Sequence, residues 1–515
     1  MRTKYAIRNI LTAWTGQIFM VIFNFILRRI FVRYLDVSYL GINGLFSNIL
    51  SLLSLAELGI GTAIVYSLYE PLAKEDWDKT ALLMEFYRKA YCAIGVFILA
   101  AGLAVTPFLS FFVKEEKDIP HLFAYYMLFV VDTAVSYFYS YKASLIQADQ
   151  KRYIVTLYSQ AVKFVRLCVS MAVLALWKNF GIYLCVQVVA TLLENILISR
   201  KAEKMYPFLK LSSKGKKIPK EEWNKIQKNT FSMICHKTGE ILVNGTDNLL
   251  ISKFVGIAAV GFYSNYMMIF NALTGILGHV FSSITAGVGN FAVTEQEQRK
   301  RKLFHQVYFM SFWIYGFCSV CIFCLCNDFI IVWVGESFTL DKFLVFVMVM
   351  NYYLTGMRKP VLTFRDAFGL FWYDRYKALI EAGVNLIVSV WLAKYFGMFG
   401  VLLGTTISTV SVCLWVEPWI LFKYGMKQEK LQNYFGKFGV YGMLTLAAGI
   451  LSYYLGNYIA AGQMVIVRLV IKGIICILLT NVVFLISSFG TGDFTYIREL
   501  YQKARLTNKK KYRAK

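Results

Sequence analysis

Runs of roughly 20 apolar residues recur along the whole chain, and a run of that size makes a helix of about 30 Å, the thickness of bilayer hydrocarbon. "FGIYLCVQVVATLLENILIS" at 180–199 and "VIVRLVIKGIICILLTNVVFLISS" at 465–488 are two of them. The chain is 58% hydrophobic and 17% charged, well short of the quarter or so of charged residues in a soluble protein. Backbone groups in lipid must bond internally, so helices are the expected solution. A membrane β-barrel would show alternating segments of about 10 residues, and none are seen. About fourteen spans are read, from 9–33 to 463–489. The first is too long for a signal peptide, lacks a small-residue cleavage site and carries Arg28 and Arg29 near its end.

Net charge is +25 over 515 residues, which in a soluble protein would suggest nucleic acid. Here the basic residues gather on alternate loops: Arg2, Lys4 and Arg8, the 200–228 loop, "RKRK" at 299–302 and the "KKKYRAK" tail. That asymmetry places both termini in the cytoplasm. It also explains the charge without a nucleic-acid partner, because basic loops rest against an anionic inner leaflet of membrane lipids. Cys318, Cys321 and Cys324 imitate a C-x2-C-x2-C cluster motif, but they lie in the apolar run "GFCSVCIFCLCND". They are read as small residues packing between helices. There is no Walker-type phosphate loop.

The chain is written twice. Thr15-Gly16-Gln17-Ile18 returns as Thr238-Gly239-Glu240-Ile241. Leu40-Gly41 with Ser47-Asn48 returns as Val260-Gly261 with Ser264-Asn265. Lys151-Arg152-Tyr153 matches Asp374-Arg375-Tyr376, and Phe180-Gly181-Ile182 matches Phe399-Gly400-Val401. Each match is short, but the offsets stay near 220 and the order is kept. The copies are displaced by six spans, an even number, so they enter the membrane in the same direction. Parallel repeats of this kind place a substrate site near the midplane between halves. The expected organisation is an N-terminal lobe of six spans at 1–205, a basic cytoplasmic linker at 206–229 and a second six-span lobe at 230–425. Spans thirteen and fourteen follow at 430–490, and a basic cytoplasmic tail at 491–515.

Charge inside the apolar runs is the functional signal, since a central charge costs about 2.5–3.5 kcal/mol on insertion scales. Lys237, Glu240, Asn244 and Asp247 are spaced 3, 4 and 3, which puts them on one helix face. The first copy presents Gln17, Asn24 and Arg28 on the corresponding face, with Arg29 beside it. Span five adds Lys163 and Arg166. Two neighbouring cations cannot neutralise each other, so they need an anion, which substrate would supply. The structural alternative is internal ion pairing, for instance of Lys237 with Glu240 three residues on. Further intramembrane charges are Glu57, Asp132, Glu194, Glu381, Glu417, Arg468 and Lys472. The last two, near the outer end of span fourteen, read as interfacial anchors.

These residues resemble the bacterial polysaccharide flippases of the multidrug/oligosaccharidyl-lipid/polysaccharide exporter superfamily. The resemblance rests on "LRRIFVRYLDVSYLGINGLFSNILSLLSLAELGIGTAI" at 27–64. It extends to "LLISKFVGIAAVGFYSNY" and "FRDAFGLFWYDRYKALIEAGVNLIVSVWLAKYFGMFGVLLGTTIS" in the second copy, and it covers nearly the whole chain. It implies an all-α integral membrane fold of two parallel six-helix lobes around a central cavity, plus two C-terminal helices. It implies a non-enzymatic function in the bacterial cytoplasmic membrane: moving undecaprenyl-diphosphate-linked oligosaccharides between leaflets by alternating access. Family cavities are cationic, which fits substrate binding by Lys163, Arg166 and Lys237, with Arg28, Arg29, Gln17, Asn24 and Asn244 as further substrate-binding candidates. Glu240 and Asp247 are the candidates for coupling to a proton or sodium gradient, and no cofactor or metal is expected. Partners would be the lipid-linked oligosaccharide, membrane lipids, a polysaccharide polymerase and glycosyltransferases. Two rival readings are a cation-coupled drug antiporter of the same superfamily and an integral-membrane enzyme on lipid-linked sugars. The first would want acids without surplus cations. The second would want a large catalytic loop outside the membrane, and the longest loop here is basic.

Overall fold

The computed structural model describes residues 2–54, 67–68, 71–72, 74–113, 120–149, 151–207, 238, 242–243, 245–294, 297–370, 373, 375–427 and 429–489. Most of these residues are helical, with no strand among them. Eight helices are long and apolar enough to cross a membrane among the described residues, and one of them, Lys377–Gly425, is 49 residues long and holds two of the expected spans. Chain contacts divide the protein into two compact units, Met1–Ile276 with Arg375–Gly404, and Leu277–Asp374 with Thr405–Lys515.

The first unit begins with α1 (Arg2–Tyr34), α2 (Val37–Leu53), α3 (Trp77–Val105), α4 (Leu122–Ala148), α5 (Arg152–Trp177) and α6 (Phe180–Met205). It continues with α7 (245–254) and the start of α8 (Ile257–Thr294). Local sequence sets the starts. Asp36 accepts a bond from the Ser38 amide at 2.8 Å, Asp76 from Lys79 at 2.9 Å and Asn179 from Ile182 at 3.1 Å. Each cap supplies an orphaned amide with an acceptor and is worth about 1 kcal/mol. Helix α4 packs on α3 and α6, and α5 on α1 and α6. Their shared core holds Leu27, Phe31, Phe46, Tyr126, Phe129 and Leu174.

The repeat landmarks meet in this unit. A Cβ on Gly41 would lie 2.0 Å from the Ile257 carbonyl oxygen, and one on Gly261 would lie 2.7 Å from the Val37 carbonyl oxygen. Each glycine faces the backbone four residues before the other, so α2 and α8 cross backbone against backbone. Small residues permit such approaches between membrane helices. The second copy's helix α11 (Lys377–Ser408) enters the same unit and breaks at Gly397, whose φ of 55° and ψ of −131° are non-helical. Such backbone favours glycine, which has no Cβ to clash. The break falls between the two spans expected there.

The second unit contains α9 (Glu297–Trp333), α10 (Lys342–Ala367), α12 (Leu414–Ile420), α13 (Leu431–Ile459) and α14 (Val465–Ser488). Helix α9 is its centre and packs on α10, α13 and α14. Phe312 stacks on Tyr441 at 4.2 Å between centroids, and Tyr308 stacks on Tyr434 at 5.0 Å. Five-residue π turns, Thr409–Cys413 and Leu421–Gly425, flank α12, which contains Pro418. A proline there removes one ladder bond, and π turns absorb the misfit.

Most of the intramembrane charges expected from the sequence have partners. Arg358 binds Glu417 with two hydrogen bonds, of 2.9 and 2.6 Å. Lys377 lies 3.9 Å from Glu381. Asp132 accepts from Gln187 at 3.1 Å. Arg468 and Lys472 both bind Asp328, at 2.7 and 2.8 Å, so they close a buried ion cluster and are not simple interfacial anchors. Glu57, the linker from residue 208 and the tail from residue 490 lie outside the described residues.

Candidate functional site

Helix α1 turns one face inward, with Val21, Asn24, Arg28 and Phe31 spaced 3, 4 and 3, and that face lines a cavity of about 950 Å³ in the first unit. The volume is near the upper end of ligand pockets. Helices α2, α5, α6, α7 and α8 supply the other walls. The lining is polar for a site inside apolar helices. Six side-chain amides reach it, those of Asn24, Asn43, Asn48, Gln187, Asn248 and Asn271. Among the described residues, two guanidinium groups, Arg28 and Arg166, stand against one carboxylate, Asp247.

Arg28 is held by a neutral group. Arg28 donates from Nη1 to Ser264 Oγ at 3.2 Å, and that hydroxyl donates in turn to the Gly261 carbonyl at 2.8 Å. Tyr183 lies within electrostatic reach of both Arg28 and Arg166. Its ring is fixed by stacking on Phe180 and an edge contact with Phe31. Among the described residues neither guanidinium has an ion pair. A guanidinium keeps its charge in any protein environment and presents a planar fork of donors suited to phosphate. Two on separate helices make a clamp for an anion.

The amides are partly committed. Asn24 Nδ2 donates to the Met20 carbonyl at 2.7 Å, and Asn48 Nδ2 to the Gly245 carbonyl at 3.3 Å. The carboxylate of Asp132 holds the amide nitrogen of Gln187. Asn248 Oδ1 is buried without a partner among the described residues. Unsatisfied buried acceptors cost about 1–3 kcal/mol each, which a hydroxyl-bearing ligand or water offsets. Asp247 is buried, with Tyr263 within electrostatic reach.

Of the residues singled out in the sequence, Arg28, Asn24, Arg166 and Asp247 come together here. Asn24 and Asp247 are 223 positions apart, the offset of the sequence echo, and both line this cavity. Arg29 is exposed and does not line it. Successive helical residues are rotated by about 100°, which carries Arg29 from the edge of the inward face marked by Leu27 and Arg28 to the exposed side of α1. Lys163 is also exposed and outside the lining. It sits a turn from Arg166, beyond the reach of the pocket. Helix α1 includes Gln17, but its side chain lies outside the description, as do Lys237, Glu240 and Asn244. Sequence reasoning did not name Tyr183, Gln187, Asn43, Asn248 or Asn271, whose neutral side chains give no charge signal. Asn48 and Ser264 were visible only as repeat landmarks.

Residues 6–288, more than half of the chain, match the polysaccharide biosynthesis protein family. No curated protein sequence is significantly similar to the chain. Among solved structures the chain is similar to the lipid II flippase MurJ in an inward closed conformation. The TM-score is 0.65 at 13% identity, covering 93% of this chain and 99% of that one. It is similar to an inward-facing multidrug resistance MATE family transporter of the MOP superfamily, with TM-score 0.64 at 10% identity over 81% of this chain and 98% of that one. A Vibrio cholerae MATE transporter, VcmN, matches with TM-score 0.57 at 11% identity over 84% and 99%. These solved relatives are transporters, not enzymes, and they share an all-helical membrane fold with this chain. On the family match and the fold together, the chain is a multi-pass membrane protein belonging to the polysaccharide biosynthesis protein family.

Proposed function

We propose that this protein flips undecaprenyl-diphosphate-linked oligosaccharide units across the bacterial cytoplasmic membrane by alternating access, for export of surface polysaccharide. The observation that carries the reading is the paired Arg28 and Arg166 in a large, amide-rich cavity. Moving an uncompensated diphosphate through hydrocarbon costs on the order of tens of kcal/mol, and the clamp supplies its countercharge. Amides offer both donors and acceptors to sugar hydroxyls. The polyprenyl tail gains about 0.8 kcal/mol per CH2 by staying in lipid, so only the headgroup enters the protein. A drug antiporter of the same superfamily would carry cations, which two guanidinium groups against one carboxylate among the described residues disfavour.

Asp247, with Glu240, is assigned to ion coupling. A charged carboxylate is unfavourable in a cavity that closes and dries, so proton or sodium uptake accompanies closure. Both termini lie in the cytoplasm on the distribution of Lys and Arg. Glycosyltransferases supply the substrate and a polymerase consumes it. The test is export in a strain lacking the gene. Arg28→Gln and Arg166→Gln should each reduce polysaccharide export at normal membrane abundance, and Arg28→Glu should abolish it. Wild-type export by the Glu variant would rule out anion binding at this clamp.

A further inference from the structure

A second cavity, of about 260 Å³, lies wholly in the second unit among α9, α10, α13 and α14. At its inner wall the buried carboxylate of Asp328 receives Arg468 at 2.7 Å and Lys472 at 2.8 Å. One carboxylate cannot neutralise two cations. A third, Lys342, stands over the Tyr453 ring at 5.4 Å, and Glu336 is the other acid of the lining. Asp341 lies within electrostatic reach of Lys342, so the surplus positive charge sits at the inner wall, where Arg468 and Lys472 share Asp328. The donors are not used up either. Arg468 spends Nη2 on Asp328, and its buried Nε has no hydrogen-bond partner among the described residues. Lysine carries three donors, and Asp328 takes one from Lys472.

The position of this pocket narrows the ligand. Asp328 is 26 residues along α9 from Lys302, about 39 Å at helical rise. That exceeds the hydrocarbon thickness, so the pocket sits at the interface of the leaflet opposite the "RKRK" end of the same helix. From the pocket toward the midplane, α13 and α14 expose apolar side chains: Leu446 is 53% exposed, Ile450 56%, Ile474 53% and Leu478 62%. Acyl chains belong against such a surface.

We infer that this pocket binds the phosphodiester of an anionic membrane phospholipid, with its acyl chains lying along α13 and α14. A single surplus positive charge complements a monoanionic phosphodiester. Charge-assisted bonds from the Arg468 and Lys472 donors would hold the phosphate, and Lys342 would close the mouth. This site shares no residue with the clamp of Arg28 and Arg166, so it stands or falls separately from the proposed transport function.

The test is native mass spectrometry of the full-length protein in detergent, titrated with phosphatidylglycerol, phosphatidylcholine or inorganic phosphate. Phosphatidylglycerol should occupy one saturable site in preference to phosphatidylcholine. Lys342→Gln, at an exposed position, should weaken that site about tenfold, the order expected for one charged contact. Asp328→Asn releases both cations from their carboxylate and should tighten it by a similar factor. A purely structural role for the ion cluster predicts that Asp328→Asn lowers stability and leaves lipid binding alone, which would overturn the inference. So would equal binding of both lipids, unchanged binding in Lys342→Gln, or displacement of phosphatidylglycerol by millimolar inorganic phosphate, which would assign the pocket to the free ion.

Discussion

Replacing Arg358 with Met would leave the carboxylate of Glu417 without its bidentate partner. That carboxylate is 0% exposed, and the Arg358 side chain is 12% exposed. Both hydrogen bonds are short, 2.9 Å from Nε and 2.6 Å from Nη2. Breaking a buried pair by removing one partner costs about 3–5 kcal/mol, whereas replacing both by apolar residues of similar size is often neutral or stabilising by about 1–4 kcal/mol. The pair lies in the second unit, about 200 residues. A cooperative unit of that size loses roughly 2–4 °C per kcal/mol. Arg358→Met should therefore lower the midpoint by about 10 °C, and Arg358→Met with Glu417→Leu should recover most of it. The assay is size-exclusion chromatography after heating detergent-solubilised protein for a fixed time at each temperature, with all variants heated identically so that any irreversible loss is compared on one scale. A single variant as stable as wild type, or a double variant no better than the single, would refute the reasoning.

Three shorter predictions concern the first unit and the orientation. Gly41→Val should abolish folded protein, measured as monodisperse protein after solubilisation, because its Cβ would sit 2.0 Å from the Ile257 carbonyl oxygen and backbone cannot yield. Full recovery of monodisperse protein would mean that α2 and α8 do not cross as described. Asp247→Asn should slow transport in vesicles and weaken its dependence on an imposed proton or sodium gradient, with expression near wild type. Unchanged gradient dependence would remove Asp247 from coupling. Single cysteines at Lys216 and Lys510 should be labelled only from the cytoplasm and one at Lys117 only from outside. Outside labelling of Lys216 would reverse the orientation.

The membrane class and the helical fold were legible because each is a one-dimensional property: apolar run length reports bilayer thickness. The two spans expected on either side of Gly397 were likewise written locally, since a break at φ 55° and ψ −131° suits only glycine. Charge on an apolar helix face also picked out Arg28, Arg166 and Asp247, because only function or pairing offsets its insertion cost. Which of those two applied was not written in the chain. Glu417 meets Arg358 across 59 positions, and Asp328 meets Lys472 across 144. No spacing rule relates residues on different helices. The same holds inside the cavity. Lys163 and Arg166 look alike in sequence, but only Arg166 reaches the lining, and the amides around it become a site only where six helices turn them toward one volume. Helical periodicity fixes which residues share a face, and packing alone decides what that face meets.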